Sequence, residues 1–426
     1  MGLAILLGVF TISMLAGIPI AFCLGIAAFS AALVEGLPEL IVFQRMVSGM
    51  SGFTLLAIPF FVFAGELMMH GGIAMRLVRF AETLVGQVRG GLGVVNVLSS
   101  MLFGGISGSA VADTSALGSV MIPMMREQGY DDDYSVNVTV TSSIAGIMIP
   151  PSHNMILYAL AAGGGVSISS LFLAGIVPGF LMCLILSAAT YLVAVRRRYP
   201  SQKFPGWMAV FLAGVYAIPG LMTAVVIIGG VLSGVFTVTE SAAIGAIWAL
   251  LVTLFVYRSL TWQAFWQSVT QAIRTTALVM ILVGAATAFA YFLALYQVPD
   301  KILGLMTAVA DNKFVILLMI NIALLILGMF MDMAALILIC TPIFLPVVRE
   351  FGMDPVQFGM LLMMNLGLGL TTPPVGSCLF VGCAVAKVRI ESVIKTIWPF
   401  YLAIFAALML TTYVPAISLT LPSLFE

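Results

Sequence analysis

The sequence predicts an all-α polytopic membrane protein, built from two inverted repeats that each carry a re-entrant hairpin and a broken helix. Three observations lead there. Of 426 residues, 62% are hydrophobic and only 8% charged, whereas about a quarter of a soluble chain is charged. Apolar stretches of roughly 18 or more residues recur along the whole length, each able to cross a hydrocarbon core of about 30 Å as a helix. Two Pro-Pro pairs, Pro150-Pro151 and Pro373-Pro374, interrupt such stretches 223 positions apart.

The spans follow in order at roughly 3–33, 53–70, 134–161, 168–195, 209–230, 237–257, 272–296, 355–386 and 392–418, about nine crossings. The first run, Gly2 to Val34, lacks a basic leader and is too long for a signal peptide, so it is expected to stay as one membrane helix. Regions 91–126 and 313–349 are apolar but broken midway by Gly104-Gly105-Ile106-Ser107-Gly108-Ser109 and by Gly328-Met329-Phe330-Met331-Asp332. Both read as hairpins that enter the membrane and return. Segments 75–88 and 261–271 mix charged or aromatic residues with apolar ones and are expected to lie along the interface.

Arg196-Arg197-Arg198 with Lys203 forms the densest basic cluster, which places the 196–208 linker in the cytoplasm. That linker divides the chain into a first half, 1–195, and a second half, 209–426. The balance of 17 basic and 17 acidic residues gives no field to attract nucleic acid. Five cysteines lie inside apolar segments without metal-type or redox-type spacing and read as packing residues.

Sliding the second half over the first by 223 positions aligns Pro123, Arg126, Glu127, Gly129 and Asp131 with Pro346, Arg349, Glu350, Gly352 and Asp354. In that register Gly105 meets Gly328 and Gly146 meets Gly369. Five crossings between the hairpins invert the second unit, and inverted units with matched broken helices point to a secondary transporter with its site at the midplane. A Pro-Pro pair frees several backbone groups, which hydrocarbon tolerates only where they are buried in protein or line a wet cavity. Freed carbonyls and hydroxyls are hard oxygen ligands suited to Na⁺, and half-helix N-termini favour an anion.

Around the first break the candidates are Thr141, Ser142, Ser143, Gly146, Ser152, His153 and Asn154, facing the tip Ser107 to Ala110 with Asp113 one turn on. Around the second they are Asn365, Gly369, Thr371, Thr372 and Ser377, facing Asp332. An intramembrane carboxylate is a functional hypothesis by default, while Asp332 could equally cap the second arm of its hairpin. Glu66 and Glu240 are expected to pair helices, His70 to be interfacial, and Asp131-Asp132-Asp133 to be a solvated helix start.

The chain resembles the large membrane subunit of tripartite ATP-independent periplasmic (TRAP) transporters. The resemblance spans nearly its whole length and is most specific in Ile58-Pro-Phe-Phe-Val-Phe-Ala-Gly-Glu66, Gly104-Gly-Ile-Ser-Gly-Ser-Ala-Val-Ala-Asp113, Ile149-Pro-Pro-Ser152, Ser170-Leu-Phe-Leu-Ala-Gly-Ile-Val-Pro-Gly179 and Leu370-Thr-Thr-Pro-Pro-Val-Gly376. It implies an elevator-type carrier of the bacterial inner membrane, with scaffold and transport domains. Such a carrier is driven by Na⁺, has no cofactor, and takes organic acids from a periplasmic binding protein alongside a small four-helix subunit. By that analogy one Na⁺ is held by Ser107, Ser109, Ser143 and Gly146 and a second by Gly328, Gly369, Thr371 and Thr372. Asp332, Ser152, Asn154, Pro150 and Pro374 face the substrate on the same reading. The rival is a stand-alone Na⁺/dicarboxylate symporter of the same architecture. An intramembrane enzyme is disfavoured because neither HExxH nor a nucleophile elbow occurs, and no Walker A motif points to ATP hydrolysis.

Overall fold

The computed structural model describes residues 2–309 and 312–425, the side chains of Ile106 and Ser107 excepted. Described residues form helices and turns only. The first stretch is α1 (Gly2–Leu15), α2 (Ile20–Val34), α3 (Leu40–Met50), α4 (Ala57–His70) and α5 (Ile73–Val85). The first hairpin follows as α6 (Gly91–Ser107) and α7 (Ala110–Glu127), and the first broken helix as α8 (Asp132–Ser142), α9 (Ala145–Met148) and α10 (His153–Ala161). Next come the long helices α11 (Ile168–Arg196), α12 (Trp207–Leu232), α13 (Val238–Leu251) and α14 (Trp262–Leu295), then the short α15 (Val298–Val309). The second hairpin is α16 (Lys313–Gly328) and α17 (Met333–Glu350), and the second break separates α18 (Pro355–Leu370) from α19 (Ser377–Ala386). The chain finishes with α20 (Ile390–Ile394), α21 (Trp398–Tyr413) and α22 (Pro415–Phe425).

Among the described residues six helices are long and apolar enough to cross a membrane, or eight if two bent pairs count as one span each. Several expected spans are therefore divided. The run 3–33 is not one crossing: Gly17 takes a positive φ of 78° ahead of Pro19, the helix stops, and α2 packs back along α1. Pro stops a helix because it lacks an N–H and clashes with the preceding turn. The last run, 392–418, bends by 58° where Val414 leaves helical geometry before Pro415. Conversely, 261–271 is no separate interfacial helix, since Trp262 to Leu295 is one 34-residue helix, capped by Thr261 Oγ1 accepting from the Ala264 amide. Residues 73–85 do form their own helix, bounded by Gly72 at φ 71° and Gly86.

Element boundaries repeat at the 223-residue offset. α7 and α17 begin at 110 and 333, α8 and α18 at 132 and 355, and both Pro-Pro bonds are cis. Each hairpin's second arm packs against the other unit: α7 lies along α19 and α17 along α10. A second set of helices, α4 with α13 and α14, α12 with α5 and α13, stands beside this interlocked core.

Two expectations about charges change. Glu240 pairs no helices: it closes a capping box with Thr237, accepting from its amide at 2.8 Å while the Thr237 hydroxyl accepts from the Glu240 amide. The Asp131–Asp133 run is not simply solvated. Arg197 reaches Asp131 at 3.0 Å and Asp133 at 2.8 Å, Arg126 binds Asp132 at 2.7 Å, and the Tyr199 hydroxyl donates to Asp131 at 2.6 Å. Tyr199 is buried against Tyr130 and Tyr134, and Gln202 donates to Glu82 and Gln128, so the linker's first residues are fastened to the core. Burial pushes the Tyr199 phenol up to about 12, and the hydrogen bond to Asp133 raises Arg197, which stays charged.

Candidate functional site

The hairpin tips meet the helix breaks at glycine joints. A Cβ on Gly104 would lie 2.2 Å from the Gly146 Cα, and one on Gly369 would lie 2.7 Å from the Gly328 Cα. Only hydrogen fits at Gly104 and Gly369, while a Cβ on Gly328 would be tight at 3.1 Å from the Gly369 Cα. The first joint thus uses Gly104, one position away from the Gly105 that the gapless register selects. Gly105 faces the Pro150 carbonyl instead.

The first break is sealed. Pro150, Pro151 and Ser152 are buried, and Asn154 Nδ2 donates to the Gly108 carbonyl at 3.2 Å, tying break to tip. Gly108 takes φ 62°, and a side chain there would meet His153 Nδ1 at 3.2 Å. Ser109 caps α7, its hydroxyl accepting from the Ala112 amide. Ser143 is buried and donates to the Val140 carbonyl. The side chain of Ser107 lies outside the described residues.

The second break is tied by backbone, the Val375 amide donating to the Met329 carbonyl at 3.1 Å. Pro374 and Val375 are exposed, as is Asp332 at the tip. Asp332 caps α17, accepting from the Ala334 amide at 3.0 Å, so capping is a role the geometry shows. The Thr371 and Thr372 hydroxyls both return to the Leu368 carbonyl, and Tyr401 donates its hydroxyl to the Thr371 carbonyl.

Asp113, which the sequence places one turn beyond the first tip without a ligand role of its own, is the strongest electrostatic feature here. Asp113 is fully buried, and neither carboxylate oxygen has a hydrogen-bond partner. Ser100 stands beside it with its hydroxyl engaged by Ser142 at 2.9 Å. The Thr114 and Ser152 hydroxyls are also buried and unpartnered. A bare carboxylate among hydroxyls is costly to bury, by several kcal/mol, unless it meets a cation or a proton. The signal was present as an acid one turn inside the first hairpin arm, at the position where the second unit has Leu336.

A cavity of about 980 Å³ opens between the first tip and the second helix set. Ser109, Ser115 and His153 line one wall, and Glu66, Gln267 and Arg274 another. Glu66 lies 3.6 Å from His70, one turn on along α4, and its carbonyl accepts from Ser268 of α14. Glu66 therefore faces the cavity rather than bridging helices through its carboxylate, and His70 lines the same space. Among described residues no cluster of His, Cys, Asp and Glu could hold a transition metal, and the described cysteines are buried and free.

The family model of the tripartite ATP-independent periplasmic transporter, DctM component, matches residues 7–417. Among relatives, YgiK of Salmonella typhimurium is 42% identical over 99% of this chain and 97% of its own. The sialic acid TRAP transporter large permease SiaM of Vibrio cholerae is 38% identical over 96% of each chain. The C4-dicarboxylate TRAP transporter large permease DctM of Rhodobacter capsulatus is 35% identical over 100% and 99%. The crystal structure of the YdaH transporter of Alcanivorax borkumensis shares the fold, with a TM-score of 0.65 at 14% identity over 87% of each chain. A membrane-helical fold, a family model matched nearly end to end and full-length permease relatives agree, and the chain belongs to the TRAP transporter family as its large inner-membrane permease, a transport protein rather than an enzyme.

Proposed function

We propose that this permease imports an organic acid by Na⁺-coupled, elevator-type movement, receiving it from a periplasmic binding protein and working beside a small four-helix membrane subunit. The observation that carries the reading is the pairing of each hairpin tip with a cis-proline break through a glycine joint, with buried oxygens left unpartnered around it. In this proposal the two units are inverted repeats that together form the transport domain. The first Na⁺ is attracted by the two bare Asp113 oxygens and is held between Ser109, Ser143 and the backbone at Gly146. The second Na⁺ lies between the Gly328 backbone and Thr371 and Thr372. The substrate carboxylate sits between the tips, against Ser152, Asn154 and the exposed Asp332 and Pro374 edge.

The mechanics follow from packing. Gly-on-Gly contact joins tip and broken helix into one piece, while the cavity opens between the first tip and α4 and α14, which still touch the hairpins through α4 against α6 and α14 against α17. A block that slides as a unit, with amphipathic α5 and α15 leading into the hairpins, changes which side the site faces. Sialic acids, other sugar acids and C4-dicarboxylates are the proposed substrate classes, each carried in the name of a relative.

The test is uptake of the cognate acid in proteoliposomes. Uptake is expected to need a Na⁺ gradient, the binding protein and the small subunit together. Equal uptake without the binding protein returns the reading to a stand-alone symporter, and uptake indifferent to Na⁺ removes the ion sites.

A further inference from the structure

The first half of α14 carries Gln263, Gln267, Gln271 and Arg274 at three- and four-residue spacing, a polar stripe on one helix face. The same segment exposes Trp262, Trp266 and Ile273 to its surroundings. Trp marks a membrane–water interface, and Arg274 lies eight residues past Trp266, about 12 Å further along the helix axis. An arginine at that depth belongs to a water-filled cavity or a partner. Arg274 lines the cavity of about 980 Å³, is exposed there, and makes no ion pair among the described residues.

The other titratable groups on the cavity wall are Glu66 and His70 of α4 and His153 of α10. Glu66 lies 3.6 Å from His70, beyond hydrogen-bond distance, with one carboxylate oxygen buried and unpartnered, while the Arg274 guanidinium is an exposed cation with no ion-pair partner among the described residues. The same cavity wall carries amide donors on Gln267 and Gln271 of the same helix. A guanidinium presents a planar fork that matches a carboxylate's two oxygens, and glutamine amides complete the donor set. Ser109 at the hairpin tip and His153 at the start of α10 form the opposite wall of the same cavity.

We propose that Arg274 and the glutamine stripe of α14 form a second carboxylate-binding subsite, on the scaffold side of this cavity, through which a small organic anion passes between the hairpin tip and the cytoplasm. The subsite rests on the transport reading above for its role, while its anion preference is a property of the cavity alone. It draws the acid away from the tip without a deep well, because Glu66 on the facing wall limits how tightly an anion is held.

The experiment measures the cavity's preference without relying on transport. The native cysteines of the described chain are buried, so Gln267→Cys adds one accessible thiol in the reconstituted permease. Its labelling rate is compared for an anionic sulfonatoethyl and a cationic trimethylammonium-ethyl methanethiosulfonate. Faster anionic labelling is expected, with the ratio falling about tenfold when Arg274→Gln is added and kept by Arg274→Lys. Succinate, as the carboxylate probe, is expected to slow anionic labelling with Arg274 present and not with Arg274→Gln. Equal ratios with and without Arg274, no labelling by either reagent, or no protection by succinate overturns the subsite. A failure of the transport reading shows separately, as absent Na⁺-dependent uptake by the unsubstituted complex, and leaves the labelling result readable.

Discussion

The two hairpin–break units share a backbone plan and differ in where they put polarity. In the first, Pro150, Pro151 and Ser152 of the break are buried, the tie runs through the Asn154 side chain, and the carboxylate lies one turn inside the arm at Asp113. In the second, the tie is backbone to backbone, the break edge is exposed, and the carboxylate is at the very tip as Asp332. Ser109 and Asp332, at equivalent positions, both cap the arm that follows. Duplicated architecture fixes where helices stop. In the function proposed above, the side chain that occupies each stop decides whether the place attracts a cation or faces a substrate.

The largest effect is expected at the joints. Gly104→Ala puts a methyl group 2.2 Å from the Gly146 Cα, so backbone has to move, whereas Gly328→Ala places its Cβ at 3.1 Å from Gly369. Overpacking costs about 1–3 kcal/mol, and Gly104→Ala is expected at the upper end with uptake lost. Thermal melting and uptake of both variants compare the units directly, and an equal or reversed order breaks the distinction drawn between the joints.

Charge comes next. Asp113→Asn is expected to raise the Na⁺ concentration for half-maximal uptake by about tenfold, as the loss of a charged contact does, with a smaller rise for Thr372→Ala. An unchanged Na⁺ dependence in Asp113→Asn removes the carboxylate from the first ion site. At Asp332 the cap and the charge can be separated. Asp332→Ala is expected to lower stability by about 1 kcal/mol, and Asp332→Ser, which borrows the Ser109 solution, to restore it while uptake stays low in both. Recovery of uptake in Asp332→Ser would reduce Asp332 to a cap.

Much of this was legible in the sequence because prolines, glycines and charges at a fixed offset are hard to produce by composition. The hairpins, the breaks and the Pro-Pro chemistry could be read from local rules. The helix turn at Gly17-Ile18-Pro19 was missed because hydropathy is blind to a two-residue reversal inside an apolar run. The role of Glu66 was missed because facing a cavity depends on α14, which lies about 200 positions away in the chain. Asp113 was visible as an acid, but its lack of partners is a property of three packed helices that no single segment encodes.

The smallest expected effect concerns the linker. Arg197→Gln removes two ion pairs at partly exposed positions, where such contacts are worth about 0.2–1 kcal/mol each. A small drop in melting temperature with uptake retained is expected. A collapse of uptake would instead tie the Tyr199 anchor to the transport cycle rather than to the resting fold.

The glycine joints have a mechanical consequence. A flap needs slack at its seat, and main chain resting on main chain at Gly104–Gly146 and Gly328–Gly369 leaves none. Spin labels placed across either joint are therefore expected to report one distance throughout turnover, while labels from the joint to α14 report two. On the proposed elevator reading the seat works as a weld, and access to the site becomes a matter of where the welded piece travels.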